Sequence, residues 1–106
     1  MVNSKIRAIV KRYLADLVGE GITVSKAFIY GSQANGTAAE DSDIDLMVIS
    51  PLFDRKSNKY SSTLWLSARK ISYKIEPVGV GEKRFLADDY SPLIQLVKQE
   101  GIEITI

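Results

Sequence analysis

Neither cysteine nor histidine occurs anywhere in the 106 residues. Disulfides, thiol nucleophiles, cysteine or histidine zinc sites and histidine acid–base chemistry are therefore all excluded. Carboxylates remain as the side-chain bases suited to neutral pH. Charge of one sign is also lacking: 14 Lys and Arg against 13 Asp and Glu give a net charge of +1. The global basic footprint of a nucleic-acid binder is absent, and direct nucleic-acid binding is not expected. No repeat, low-complexity run, signal peptide or membrane-spanning stretch is visible, so the expected location is cytoplasmic.

What is present fits one ordinary α/β domain spanning 1–106, with 45% hydrophobic and 25% charged residues. Ile6, Ile9, Val10, Tyr13, Leu14 and Leu17 follow the spacing of an amphipathic helix, with charges on the other faces. That mixed charge pattern favours packing on a sheet over lying on a membrane. Gly19-Glu20-Gly21 stops the helix, and a strand is expected from about Ile22 or Val24 to Tyr30. A second strand is expected over about Ile44–Ile49, ended by Ser50-Pro51, followed by a polar loop over 54–59. A helix follows from about Ser57 to Ile71, with Tyr60, Leu64, Trp65, Ala68 and Ile71 on its buried side. A third strand contains Tyr73-Lys74-Ile75-Glu76-Pro77-Val78 and closes at Gly79 or Gly81. Helical segments over Glu82–Ala87 and Pro92–Glu100 complete the series, and Gly101 stops the last one. The tail Ile102–Ile106 alternates apolar and polar residues, as an edge strand or a surface that pairs with another chain would. The reading is a small mixed sheet with helices packed on it.

The informative stretch is Gly31-Ser32, followed closely by Asp43-Ile44-Asp45 between two apolar strands. Side chains in a strand alternate faces, so Asp43 and Asp45 share one face while Ile44 and Leu46 take the other. Their Cα atoms would lie about 6.5–7 Å apart. Carboxylates so placed suit a pair of Mg²⁺ ions about 3.5–4 Å apart. Mg²⁺ takes one or two carboxylates and leaves its other positions to phosphates and water. Gly31 lets the backbone turn sharply and approach a ligand. Ser32 is expected to cap a short helix through Gln33-Ala34-Asn35 and to meet a phosphate with its hydroxyl.

Two rival motifs fail on their own terms. Gly31-x4-Gly36-Thr37 has threonine where a Walker A loop needs lysine. Asp41-x-Asp43-x-Asp45 has Leu46 where an EF-hand needs glycine and Leu52 where it needs glutamate. Asp41-Ser42-Asp43 alone would read as a solvated turn.

The run FIYGSQANGTAAEDSDIDLMVIS resembles the signature of the DNA polymerase β nucleotidyltransferase superfamily, and within it the minimal nucleotidyltransferases. Residues Phe28 to Ser50 carry the likeness, with one departure, Asn35 where many members have arginine. The resemblance implies the polymerase β-like fold, a third carboxylate on a neighbouring strand, and two Mg²⁺ ions. Glu76 is the candidate, one methylene longer than the commoner aspartate. A carboxylate in that apolar run is costly to bury unless paired or bound to a cation. Otherwise it is an edge-strand residue facing solvent, which Pro77 also suits.

The implied chemistry is transfer of a nucleoside monophosphate, with ATP favoured by analogy, to a hydroxyl acceptor. Asp43, Asp45 and Glu76 would be catalytic and metal-holding, and Gly31 and Ser32 would hold phosphates beside Asp43 and Asp45. Relatives of this kind are paired with a small HEPN-domain toxin, which they silence by adding AMP to a tyrosine. So short a chain leaves no room for a separate acceptor-binding domain, so a partner with its own docking surface is the expected acceptor. A non-catalytic module that binds nucleotide or partner is the alternative. Transfer to a small molecule would need acceptor-binding structure supplied, for instance, by a homo-oligomer.

Overall fold

The computed structural model describes residues 2–55 and 59–106. These residues form five helices and four strands, in the order α1 (Ser4–Gly19), β1 (Lys26–Tyr30), α2 (Ser32–Asn35), β2 (Ile44–Ser50), α3 (Ser61–Ile71), β3 (Ile75–Gly81), α4 (Glu82–Ala87), α5 (Pro92–Glu100) and β4 (Ile102–Glu103). A 3-10 turn, Pro51–Asp54, follows β2. The sheet order is β3-β2-β1-β4. β1 runs antiparallel to β2 and to β4, whereas β2 and β3 are parallel, with α3 as the crossover between them. The expected mixed sheet is therefore present.

Strand alternation divides the core into two layers. Ala27, Ile29, Ile44, Leu46, Val48 and Ile75 face α1 and α3. Tyr30, Met47, Ile49 and Val80 face α4 and α5 through Phe85, Ile94 and Val97. On α1 the buried stripe is Val10, Tyr13, Leu14 and Leu17, the i, i+3, i+4, i+7 pattern that the sequence displays. That helix packs on the sheet, as expected. Tyr13 is buried far from water, and its hydroxyl donates to the Leu64 carbonyl at 2.9 Å. Asp16 links the same two helices by accepting from Ser67 and Lys70.

Boundaries differ where local bonding takes residues that looked like parts of strands or helices. β1 begins at Lys26 rather than at Ile22 or Val24. Gly21 adopts φ +90°, its N–H reaches the Val18 carbonyl, and the Ile22 N–H reaches that of Leu17. This is a Schellman motif, and Ile22 is its buried apolar closing residue. The helix start expected at Ser57, together with Lys56 of the expected polar loop, lies outside the described residues. Lys59 and Tyr60 are in a turn, and α3 is helical from Ser61. Trp65 is 43% exposed rather than on the buried side. Leu64, Ser67 and Ala68 form the inward stripe, and a residue next to Leu64 stands about 100° away from it. Trp65 instead carries the Arg69 guanidinium over its ring and borders a groove with Phe53 and Tyr60.

β3 is an edge strand, which accommodates Pro77. α5 has Ser91 as its N-cap, Pro92 in its first turn and Gly101 at its C-cap. The tail supplies a two-residue edge strand and the buried Ile104. Residue Asp54 caps α4 from a distance, accepting from Lys83 N–H at 2.9 Å and Arg84 N–H at 3.3 Å. A Cβ on Gly81 would collide with that carboxylate, so glycine leaves the room the cap requires. Replacing Asp54 by Ala is expected to cost about 1 kcal/mol, read by chemical denaturation. An unchanged midpoint would show that solvent replaces the cap without loss. No helix among the described residues is long and apolar enough to cross a membrane.

Candidate active site

The site is built on one row of the sheet. Tyr30 opposes Asp45 across the antiparallel pair, and Asp45 lies in register with Glu76 across the parallel pair. Residues in register on adjacent strands point to the same face. Glu76 thus stands beside Asp45 on the face that also carries Phe28, Met47 and Val78. Neighbouring strands lie roughly 4.8 Å apart, so the two carboxylates share one end of the sheet.

Asp43 is placed differently from Asp45. β2 begins at Ile44, so Asp43 lies one residue ahead of the strand and is solvent-exposed, while Asp45 is half-buried. Its neighbour Ile44 is anchored by donating to the Lys74 carbonyl at 2.8 Å. The two aspartates remain near enough to feel each other's charge. Burial first, and the Asp43 charge second, hold the Asp45 carboxyl above the usual carboxylate range. The Tyr30 phenol is also raised, by burial and then by Asp45. Ionisation of the site alone therefore costs free energy, and a cation would offset that cost.

Gly31 closes the site from the other strand end. Its φ of 72° and ψ of −147° place it where side chains are rarely accepted. A Cβ there would stand 2.6 Å from Asp45 Oδ2. The absent side chain is the space that the carboxylate occupies, and both constraints call for glycine. Gly31 is also the N-cap of α2, its carbonyl accepting from Ala34 and Asn35. Ser32 is therefore the first helical residue and not the cap, which corrects the sequence-based expectation. Capping does not consume its hydroxyl, which leaves it available to a phosphate oxygen. Four residues make α2 too short for a strong macrodipole, so an anion there would have to be held by amides and the hydroxyl.

Asn35, singled out in the sequence as a departure, and Gln33 and Lys74, given no role there, shape this end of the sheet. Asn35 accepts from the Thr37 N–H at 3.0 Å and from its hydroxyl at 2.6 Å, closing the turn around Gly36 at φ 82°. Asn35 is thus a loop fastener in this chain. Gln33 donates to the carbonyls of Ser42 and Asp43. Lys74 donates to the Glu40 carbonyl at 2.6 Å. An open cleft of about 530 Å³ runs beside α2, bordered by Ser32, Gln33, Gly36, Glu40, Lys74 and Lys5. It adjoins the Gly31-Ser32 turn but does not include the aspartates.

The donor set suits a hard divalent cation. Asp43 and Asp45 supply oxygens only, and the cost of ionising Asp45, from burial first and the Asp43 charge second, is one that a cation would offset. Among the described residues no three of His, Cys, Asp or Glu converge as a closed cage. An Mg²⁺ ion here would draw its other ligands from phosphates and water, its habit in phosphoryl-transfer sites.

Residues 5–104 match the nucleotidyltransferase domain family. The chain belongs to that family, which supports a role in nucleotidyl transfer. Its fold is similar to that of a candidate nucleotidyltransferase from Sulfolobus solfataricus, with a TM-score of 0.64 and 13% identity, covering 93% of this chain and 78% of that one. It is also similar to a chain of a toxin–antitoxin structure solved with AMP-PNP, with a TM-score of 0.61 and 22% identity, covering 88% and 70%. At these identities the two structures establish a shared fold. Among curated proteins no significant match is found.

Proposed function

We propose that residues 1–106 form one nucleotidyltransferase domain that moves a nucleoside monophosphate from a nucleoside triphosphate, ATP first, to a protein hydroxyl. The observation that carries this reading is the pairing of Gly31 with Asp45, a phosphate-type turn whose missing side chain makes room for a half-buried carboxylate. Asp43 and Asp45 hold Mg²⁺, two ions in the full complex, with Glu76 beside them on the next strand. Bound Mg²⁺ supplies charge neutralisation to the triphosphate and acidifies the attacking hydroxyl. Ser32 and the amides of its turn hold the β- and γ-phosphates. The acceptor oxygen bonds to the α-phosphorus as the bond from that phosphorus to the pyrophosphate oxygen breaks. Glu76 takes the hydroxyl proton, and pyrophosphate leaves. Positioning and electrostatic neutralisation provide the rate.

The acceptor in this proposal is a tyrosine on a HEPN-type toxin, and the chain is the cytoplasmic antitoxin that silences it. The toxin–antitoxin neighbour with its ATP analogue supports that reading by analogy of fold. One observation favours a second reading, in which the chain neutralises a partner by binding alone. Among the described residues no group of three His, Cys, Asp or Glu that could hold a metal ion is present.

Calorimetric titration of ATP with and without Mg²⁺, followed by incubation with α-labelled ATP and the native partner, separates the two. Magnesium-dependent heat and label on the partner are expected. Neutralisation without label would establish the binding module, and no heat with any nucleotide would remove the nucleotide site altogether.

A further inference from the structure

We infer that Gln33 is a positioning residue that sets the spacing between the phosphate turn and Asp43. The inference rests on the metal-dependent reading of the site and assigns part of its construction to a side chain that touches neither metal nor phosphate. Gln33 follows Ser32 in α2, so its main chain moves with the turn. Its side-chain Nε2 reaches across the loop to the Ser42 carbonyl at 3.3 Å and the Asp43 carbonyl at 3.4 Å. An amide NH₂ has two hydrogens, one for each carbonyl.

The need for such a tether follows from the charges. Asp45 is fixed in β2, whereas Asp43 is exposed at the end of a loop with no strand of its own. Two carboxylates that repel each other will separate through whichever backbone yields, and the loop yields first. Gln33 opposes that drift from one side of Asp43, and the bond from Ile44 N–H to Lys74 opposes it from the other. Of the remaining bonds, Ala39 with Ser42 is internal to the loop, Thr37 is tied back to Ser32 and Asn35 at its near end, and Lys74 ties Glu40 toward β3. They give the loop a shape but do not fasten it to α2 on the Asp43 side. Neutral amide chemistry also matters: lysine here would pair with Asp43 and compete with the metal, and glutamate would repel both carbonyls.

The test is Gln33→Met, which keeps the unbranched length and removes the donors, with Gln99→Met on the exposed side of α5 as control. Partners of metal ligands typically govern affinity by about 10-fold or more. The Mg²⁺ concentration for half-maximal ATP binding by calorimetry is expected to rise roughly 10-fold. Binding at saturating Mg²⁺ and the melting temperature should stay near wild type. Amide exchange over residues 37–43 of the ligand-free protein should quicken in Gln33→Met alone. An unchanged Mg²⁺ requirement overturns the inference, as does weakening by one factor at every Mg²⁺ concentration, which would make Gln33 a ligand contact. Absence of Mg²⁺-dependent binding in wild type overturns the transferase reading, and the exchange arm then decides the tether alone. Faster exchange supports it, and unchanged exchange overturns it.

Discussion

Replacing Asp45 by Asn is expected to lower nucleotidyl transfer about a thousandfold and, at the same time, to raise the melting temperature of the metal-free protein. Both effects come from one charge. Asn keeps the shape and the polar atoms but cannot neutralise a cation, so the transition-state charge on the triphosphate loses its counterweight. In the metal-free protein the same carboxylate is half-buried beside Asp43, and its carboxyl is raised above the usual range for those two reasons. Ionisation there opposes folding, and the neutral variant escapes that cost. A residue kept for stability would behave in the opposite way. Parallel loss of activity and melting temperature would therefore refute the assignment of Asp45 as a metal ligand.

The sign of the pH dependence follows from the raised carboxyl. The unfolded chain binds the proton near the ordinary aspartate value of about 3.9. Folded protein binds it at higher pH, so between the two values the native state holds more protons than the unfolded one. The Asp45 contribution to stability consequently improves as pH falls through the raised value and worsens as pH rises. Magnesium reverses the trend, because only the ionised carboxylate ligates it. Melting curves at several pH values, with and without Mg²⁺, should show metal stabilisation shrinking on mild acidification. Asp45→Asn should flatten the difference.

Local punctuation made some elements legible in the sequence and hid others. Ser91, Pro92 and Gly101 bracket α5, and each acts within a few residues of its helix, so the bounds could be read directly. Ile22 is equally apolar whether it opens a strand or closes a Schellman motif, and only the bond to Leu17 distinguishes the two. Ser32 has the preferred chemistry of an N-cap, yet the cap is Gly31, because what selects glycine is Asp45 from another strand. The Asp54 cap on α4 spans 29 residues of sequence and has no periodic signature. At the site, the aspartates were visible as a spaced pair between apolar runs. Glu76 stood out as a carboxylate in an apolar run and through family resemblance, but its place beside Asp45 could not be read, because the register of β2 against β3 is set by tertiary packing. Gln33 left no trace at all, since a neutral side chain bonding to backbone carbonyls alters no pattern of charge or hydropathy.

Gly31→Ala should be nearly as damaging as loss of the carboxylate, for two separable reasons. The backbone at φ 72° and ψ −147° costs a non-glycine residue about 1–3 kcal/mol. The added Cβ also falls 2.6 Å from Asp45 Oδ2, well inside contact distance. The protein must then rotate the carboxylate away, open the turn, or both. Either response misaligns the metal ligand against the phosphates, and an error of about 1 Å in such a site costs around a hundredfold in rate. A double-mutant cycle with Asp45→Ala separates the two terms. Backbone strain belongs to residue 31 alone and persists in the double variant, whereas the collision disappears with the carboxylate. The stability lost through Gly31→Ala should thus be smaller in the Asp45→Ala background than in wild type, by denaturant titration. Equal losses in both backgrounds would mean that Gly31 is required for its dihedral angles only. The contact between turn and carboxylate, on which the functional reading depends, would then carry no energy.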